Sequence, residues 1–150
     1  MDIILKRSIE WLDRLIAFDT TSRLSNLDLI SDIEKYMNEL GVPTRLTHDK
    51  DKTKANLWCT IGPQDIGGVV LSGHTDVVPI DGQEWTKTPF KMSEESGKLF
   101  GRGTSDMKGF CAIALAMAPE MKSRALKVPI HFAFSFDEEV GCVGVRHLIK

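Results

Sequence analysis

Apolar residues recur at helical spacing from Ile3 to Phe18, with Ile4, Leu5, Ile9, Leu12, Leu15 and Ile16 forming a stripe that predicts a first helix. A second helix is predicted from about Leu27 to Leu40. Ser25 stands as its N-cap with Asp28 three residues on, and Gly41 with Pro43 closes the far end. The pattern then shortens to apolar runs bounded by turn residues. Three strands are predicted, roughly Thr44–Thr47, Asn56–Ile61 and Val69–Ser72, with Asp65-Ile66-Gly67-Gly68 as a tight turn joining the last two. The stretch from His74 to Lys98 carries Pro79, Asp81, Gly82, Pro89 and Gly97, and reads mostly as loop. Another helix is expected from about Met107 to Met121, with Ala112, Ala114, Ala116 and Ala118 suited to close packing. Val128–Phe136 reads as a strand buried on both faces. A last helix starts near Val143. Because no capping glycine or polar tail follows Val145, the chain reads as a fragment of something longer.

Alternating helices and strands of this kind predict an α/β fold: a mixed, mostly parallel sheet flanked by helices. Ligands of such sheets sit outside the carboxyl ends of strands. At 150 residues, with 42% hydrophobic and 27% charged residues, the chain is long enough for one domain with a real core. A net charge of -2 and scattered basic residues give no footprint for nucleic acid or an anionic membrane surface. No apolar run approaches a membrane span. The amino terminus is too short and too acidic for a signal peptide, and Cys59, Cys111 and Cys142 form an odd, widely spaced trio. A cytoplasmic protein is therefore expected.

Three polar clusters stand against this apolar background: Ser72-Gly73-His74-Thr75-Asp76, Gly101-Arg102-Gly103-Thr104-Ser105-Asp106 and Asp137-Glu138-Glu139. Burying unpaired carboxylates costs several kcal/mol, roughly 2–7 even for neutral polar groups, so gathering them beside an imidazole calls for a neutralising cation. On an extended segment His74 and Asp76 point to the same side; His74 could bind a metal while Asp76 accepts from the other ring nitrogen, or the two could make a casual surface contact. Asp106 precedes a predicted helix and suits either a ligand or a plain N-cap. Gly101, Gly103 and Gly109 do not reproduce GxGxxG, so a nucleotide site is disfavoured. Glu138 and Glu139 diverge as neighbours and can serve different partners, one a metal and the other a water, or form a solvated acidic turn. Of the remaining histidines, His131 is expected to be a satisfied core residue, whereas His48 and His147 should face solvent. Cys142 lies beside the acidic pair, which disfavours its thiolate.

Taken in order and spacing, Ser72-Gly73-His74-Thr75-Asp76-Val77-Val78-Pro79, Gly101-Arg102-Gly103-Thr104-Ser105-Asp106-Met107-Lys108-Gly109 and Asp137-Glu138-Glu139 resemble the amidohydrolases and exopeptidases that share a co-catalytic zinc pair. The resemblance covers nearly the whole chain. The flanking segments Asp81–Trp85 and Phe134–Cys142 look most like the acetylornithine deacetylases of that group. It implies that His74 binds one zinc, Asp106 bridges two, Glu139 binds the second, Glu138 is the general base and Asp76 orients His74. It also implies a cis Asp106-Met107 peptide, possible use of cobalt in place of zinc, and a homodimer at full length. The implied reaction is hydrolysis of an N-acyl amino acid, N-acetylornithine giving acetate and ornithine. A succinyl-diaminopimelate desuccinylase or another aminoacylase is the alternative within this chemistry; a catalytically silent binding module is the alternative outside it. Relatives add a further carboxylate ligand, a late histidine and an inserted lid and dimerisation domain. Residues 1–150 therefore read as the N-terminal portion of the catalytic domain, expected to bind zinc weakly and to turn over little on its own.

Overall fold

The computed structural model describes residues 2–149. Helix α1 (Ile3–Ile16) starts where Asp2 accepts the Ile4 amide at 2.8 Å; of the predicted stripe it buries Leu12, Leu15 and Ile16, with Trp11 beside them, while Leu5 stays exposed. Helix α2 (Leu27–Glu39) buries Leu29, Ile30, Ile33 and Met37. Ser25 Oγ accepts the Leu27 amide, but the residue flanking the helix is Asn26, whose side chain works across the fold. It accepts the Ala55 amide and donates to the Ala55 carbonyl and Thr75 Oγ1.

Strands β1 (Thr44–His48), β2 (Ala55–Ile61) and β3 (Val69–His74) follow, then the short hairpin β4 (Ser93–Glu95) and β5 (Lys98–Phe100). That hairpin turns through Ser96 and Gly97, both at positive φ, inside the stretch expected to be loop. Helix α3 (Lys108–Lys122), strand β6 (Ile130–Ser135) and the short helix α4 (Val145–Leu148) complete the order. Lys150, the last residue of the helix expected to start near Val143, lies outside the described residues.

The main sheet runs β1-β2-β6-β3. The α/β class and mixed sheet expected from the sequence are present, flanked by helices. The balance of pairing differs from the mostly parallel expectation, because β1–β2 and β2–β6 are antiparallel and only β3–β6 is parallel. β1 and β2 are joined by a short loop, which favours antiparallel pairing; α3 supplies the crossover that a parallel pair needs. The segment Asp65–Gly68 joins β2 to β3 without making them a hairpin, since β6 lies between them. Strand β6 is apolar enough to occupy that interior position, and it is buried on both faces from Phe132 to Ser135.

Leu57, Cys59, Phe132 and Phe134 share one core with the buried residues of α1, α2 and α3. The thiols of Cys59 and Cys111 are buried there and pushed up to about 12 by desolvation, which makes them packing groups. Phe132 is fully buried, so Phe132→Ala is expected to cost about 3–5 kcal/mol of folding stability. Urea unfolding measures this; a loss under about 1 kcal/mol would contradict the core assignment.

One register positions the polar clusters. Parallel β3 and β6 pair His74 with Ser135, so the segments leaving both strands emerge side by side. Gly73 permits α3 to lie directly over this end: a Cβ there would fall 2.9 Å from Cys111 Sγ and 3.1 Å from Phe110.

Candidate metal centre

His74 is 4% exposed at the end of β3. Its Nδ1 lies 2.9 Å from the Asp76 main-chain carbonyl. A carbonyl only accepts, so Nδ1 carries the hydrogen and Nε2 is the nitrogen presented outward. Nε2 faces Asp106 Oδ1 at 3.1 Å and Glu138 Oε2 at 3.7 Å.

The Asp76 carboxylate has a different arrangement from the one its spacing suggested. Its nearer oxygen is 3.6 Å from His74 Nδ1, while the group accepts from Ser22 Oγ at 2.7 Å, from the Glu138 amide at 3.0 Å and from the Glu139 amide at 3.2 Å. One buried carboxylate thus ties the β3 end to the acidic pair after β6. Burial raises its pKa, but the donors from His74, Ser22, Glu138 and Glu139 outweigh that and hold it below the usual range.

The loop between α1 and α2 braces this segment. Val77 donates to Thr20 O, Ser22 donates to Val77 O, and Thr20 Oγ1 donates to Thr75 O. Asp106 arrives from the other side, with a cis peptide to Met107. Its side chain is 76% exposed and points at His74 from the start of α3.

His74, Asp106 and Glu139 each offer one ligand atom, all within 4.8 Å of one another. Glu138 stands beside this group. The donor chemistry, one imidazole nitrogen with carboxylate oxygens, fits zinc, whose protein ligands include both. The electrostatics ask for a cation. Burial and the charges of Asp106, Asp76 and Glu138 raise Glu139, with His74 opposing. Burial also pushes His74 down, yet its contacts to Asp76 and Asp106 prevail and lift the imidazole to about 9.

A ligating nitrogen must lose that proton. Below about pH 9 the metal-free site is therefore expected to release a proton on binding zinc, with affinity rising up to about tenfold per pH unit and levelling off above. Calorimetric titration at pH 7 in buffers of different ionisation enthalpy reads the proton; the same heat in every buffer would contradict the assignment of Nε2 as ligand.

The other sequence candidates fall away from this group. His131 is half-buried, with Nδ1 2.9 Å from Thr60 Oγ1 and its ring stacked on Trp58. His48 is exposed as expected; His147 is half-buried against Phe136, because α4 folds back over that ring. Cys142 Sγ lies 3.6 Å from Glu138 Oε1, and desolvation together with that carboxylate raises its thiol.

Sequence reasoning passed over Lys108, which is 1% exposed and donates to Leu15 O at 2.9 Å and Phe18 O at 2.8 Å at the end of α1. Burial depresses it to about 8. A lysine in the first turn of a helix opposes the helix dipole, and that misfit was the available signal that its charge serves another helix.

His74 and Glu139 lie outside the carboxyl ends of adjacent parallel strands, Asp106 meets them from the start of α3, and together they make a donor set suited to a metal ion. Residues 70–150 match the sequence profile of peptidase family M20/M25/M40, and the chain belongs to that family. It is 39% identical over 127 residues to an acetylornithine deacetylase of Shigella sonnei (strain Ss046), covering 84% of this chain and 33% of that protein. The chain thus spans about a third of the length of this curated relative. Its fold is similar to human carnosine dipeptidase 1, with TM-score 0.78 and 24% identity over 97% of this chain and 36% of that one. It is also similar to the M20 family metallo-carboxypeptidase Sso-CP2 from Sulfolobus solfataricus, with TM-score 0.75 and 24% identity over 99% and 34% of the two chains. Among the described residues no helix is long and apolar enough to cross a membrane.

Proposed function

We propose that the chain is the N-terminal portion of the catalytic domain of a zinc-dependent amidohydrolase that cleaves N-acyl amino acids, N-acetylornithine foremost. The observation that carries this reading is the convergence of His74, Asp106 and Glu139 ligand atoms within 4.8 Å, in a chain 39% identical to an acetylornithine deacetylase. In this reading His74, Asp106 and Glu139 would hold the metal. When bound there, zinc, or cobalt in its place, would supply positive charge to polarise the scissile carbonyl and make water easier to deprotonate.

The chain's own groups do the rest. Glu138, whose side chain stands beside the ligands and meets His74 and Cys142 among the described residues, takes the proton from the attacking water. A C–O bond forms at the acyl carbon, the C–N bond breaks, and Glu138 returns the proton to the departing amine. Acetate and ornithine leave. The Asp76 carbonyl fixes the His74 ring, and the Asp76 carboxylate fixes the backbone of both glutamates. The working protein is read as a cytoplasmic homodimer, with a lid and further ligands supplied by sequence outside these 150 residues.

The reading is tested by assaying the intact protein, loaded with zinc, on N-acetylornithine, N-succinyl-diaminopimelate and unblocked dipeptides. Preferred turnover of the acetyl substrate is expected. Zinc-dependent cleavage of dipeptides alone would overturn the substrate, and turnover insensitive to chelators would overturn the metal.

A further inference from the structure

The acidic pair is held from two directions, and only one of them is Asp76. Just before Glu138, the backbone of Asp137 adopts the left-handed conformation at φ 52, an uncommon state that aspartate tolerates better than most residues. This reversal at the end of β6 turns Glu138 and Glu139 back toward His74. Its carboxylate Oδ1 receives Lys54 Nζ at 2.6 Å, and the same ammonium donates to the Ser22 carbonyl at 2.5 Å. The Lys54 and Asp137 side chains are only 15% and 16% exposed.

Lys54 is not a loose surface lysine. Its amide donates to Asp49 Oδ1 at 2.9 Å and its carbonyl accepts from the Asp49 amide, so it leaves a closed loop immediately before β2. Its charge therefore joins two arms of the site. One is the turn that carries the glutamates; the other is the α1–α2 loop, where Ser22 Oγ donates to Asp76.

We propose that Lys54 and Asp137 are a positioning pair whose contact sets the left-handed turn aiming Glu138 and Glu139 at His74, with Ser22 carrying the same constraint to Asp76. The proposal rests on the reading of His74, Asp106 and Glu139 as metal ligands. Neither residue belongs to the group of converging ligand atoms. Their effect passes through Glu139 as ligand and Glu138 as base, for which a displacement of about 1 Å can cost about 10²-fold in rate.

The test uses the intact protein with Lys54→Met, Lys54→Arg, Asp137→Asn and the double variant Lys54→Met/Asp137→Asn. Zinc affinity is measured by competition with a chromophoric chelator, kcat is expressed per bound zinc, and melting temperature is followed alongside. Lys54→Met and Asp137→Asn are each expected to weaken zinc binding or lower kcat by about 10–100-fold, as supporting groups of metal ligands do. The double variant should lose no more than the worse single one, and Lys54→Arg should recover most of the loss.

A fall in melting temperature with zinc affinity and kcat per zinc unchanged would reduce the pair to ordinary structure and overturn the proposal. Losses that multiply in the double variant would overturn it too. If Lys54→Met does not fold, Asp137→Asn against Lys54→Arg makes the same comparison. Should the unmodified protein bind zinc but hydrolyse no N-acyl amino acid, the substrate reading falls, and the zinc affinities still decide the pair.

Discussion

Glu138→Ala, in the intact zinc-loaded protein, is expected to lower kcat by about 10²–10⁴-fold while bound zinc stays at the unmodified level. The separation follows from position. The three ligand atoms that converge belong to His74, Asp106 and Glu139, and Glu138 stands outside that group with its side chain 44% exposed and one oxygen 3.7 Å from His74 Nε2. Removing it takes away a proton carrier and leaves the ligands in place. The Asp76 contact to position 138 is made by the backbone amide, which alanine retains, so the neighbouring Glu139 keeps its tether. Metal analysis beside steady-state kinetics reads both quantities. Zinc lost in proportion to activity would make Glu138 a ligand and displace it from the role of base.

His74→Ala should behave differently, with zinc and activity disappearing together. The imidazole is buried, and its Nδ1 is committed to the Asp76 carbonyl, so Nε2 is the only atom it can offer to a cation. Its loss leaves two carboxylates facing each other without the nitrogen ligand. The fold should survive, because the Asp76 carboxylate still has Ser22 Oγ and two amides as donors. The melting temperature of the unmodified protein should rise with added zinc through binding to the folded state, and the variant should show no such rise. Full zinc stoichiometry in a dialysed His74→Ala sample would remove His74 from the metal centre.

Much of the helical frame was legible because each helix carries its own instructions. The stripe from Ile4 to Ile16 and the run from Leu27 to Leu40 have local periodicity, and α1 and α2 end within two residues of expectation. Strand order was not legible. Inserting β6 between β2 and β3 is a decision made by the burial of Phe132 and Phe134 against residues far away in sequence, and no local turn signal records it. The polar clusters could be seen because carboxylates beside glycines at the ends of apolar runs are out of place unless they do something. Their detailed contacts could not. The spacing of His74 and Asp76 suggested a hydrogen bond between their side chains, whereas the Asp76 carboxylate lies 3.6 Å from Nδ1 and accepts its shorter bonds from donors on two other elements. Lys54 went unread, and so did the parts played by Asp137 and Lys108, because a charged side chain in a sequence looks like surface or like one more member of a motif until the fold shows what it pairs with.

The shared register of β3 and β6 restricts how this molecule can change its length. Adding or deleting one residue within either strand would slide one arm past the other by about 3.3 Å and turn its alternate side chains to the opposite face. Indels can accumulate in the connections before β3 and after α3, but between Val69 and His74, or between Ile130 and Ser135, lineages of this protein are left with substitution alone.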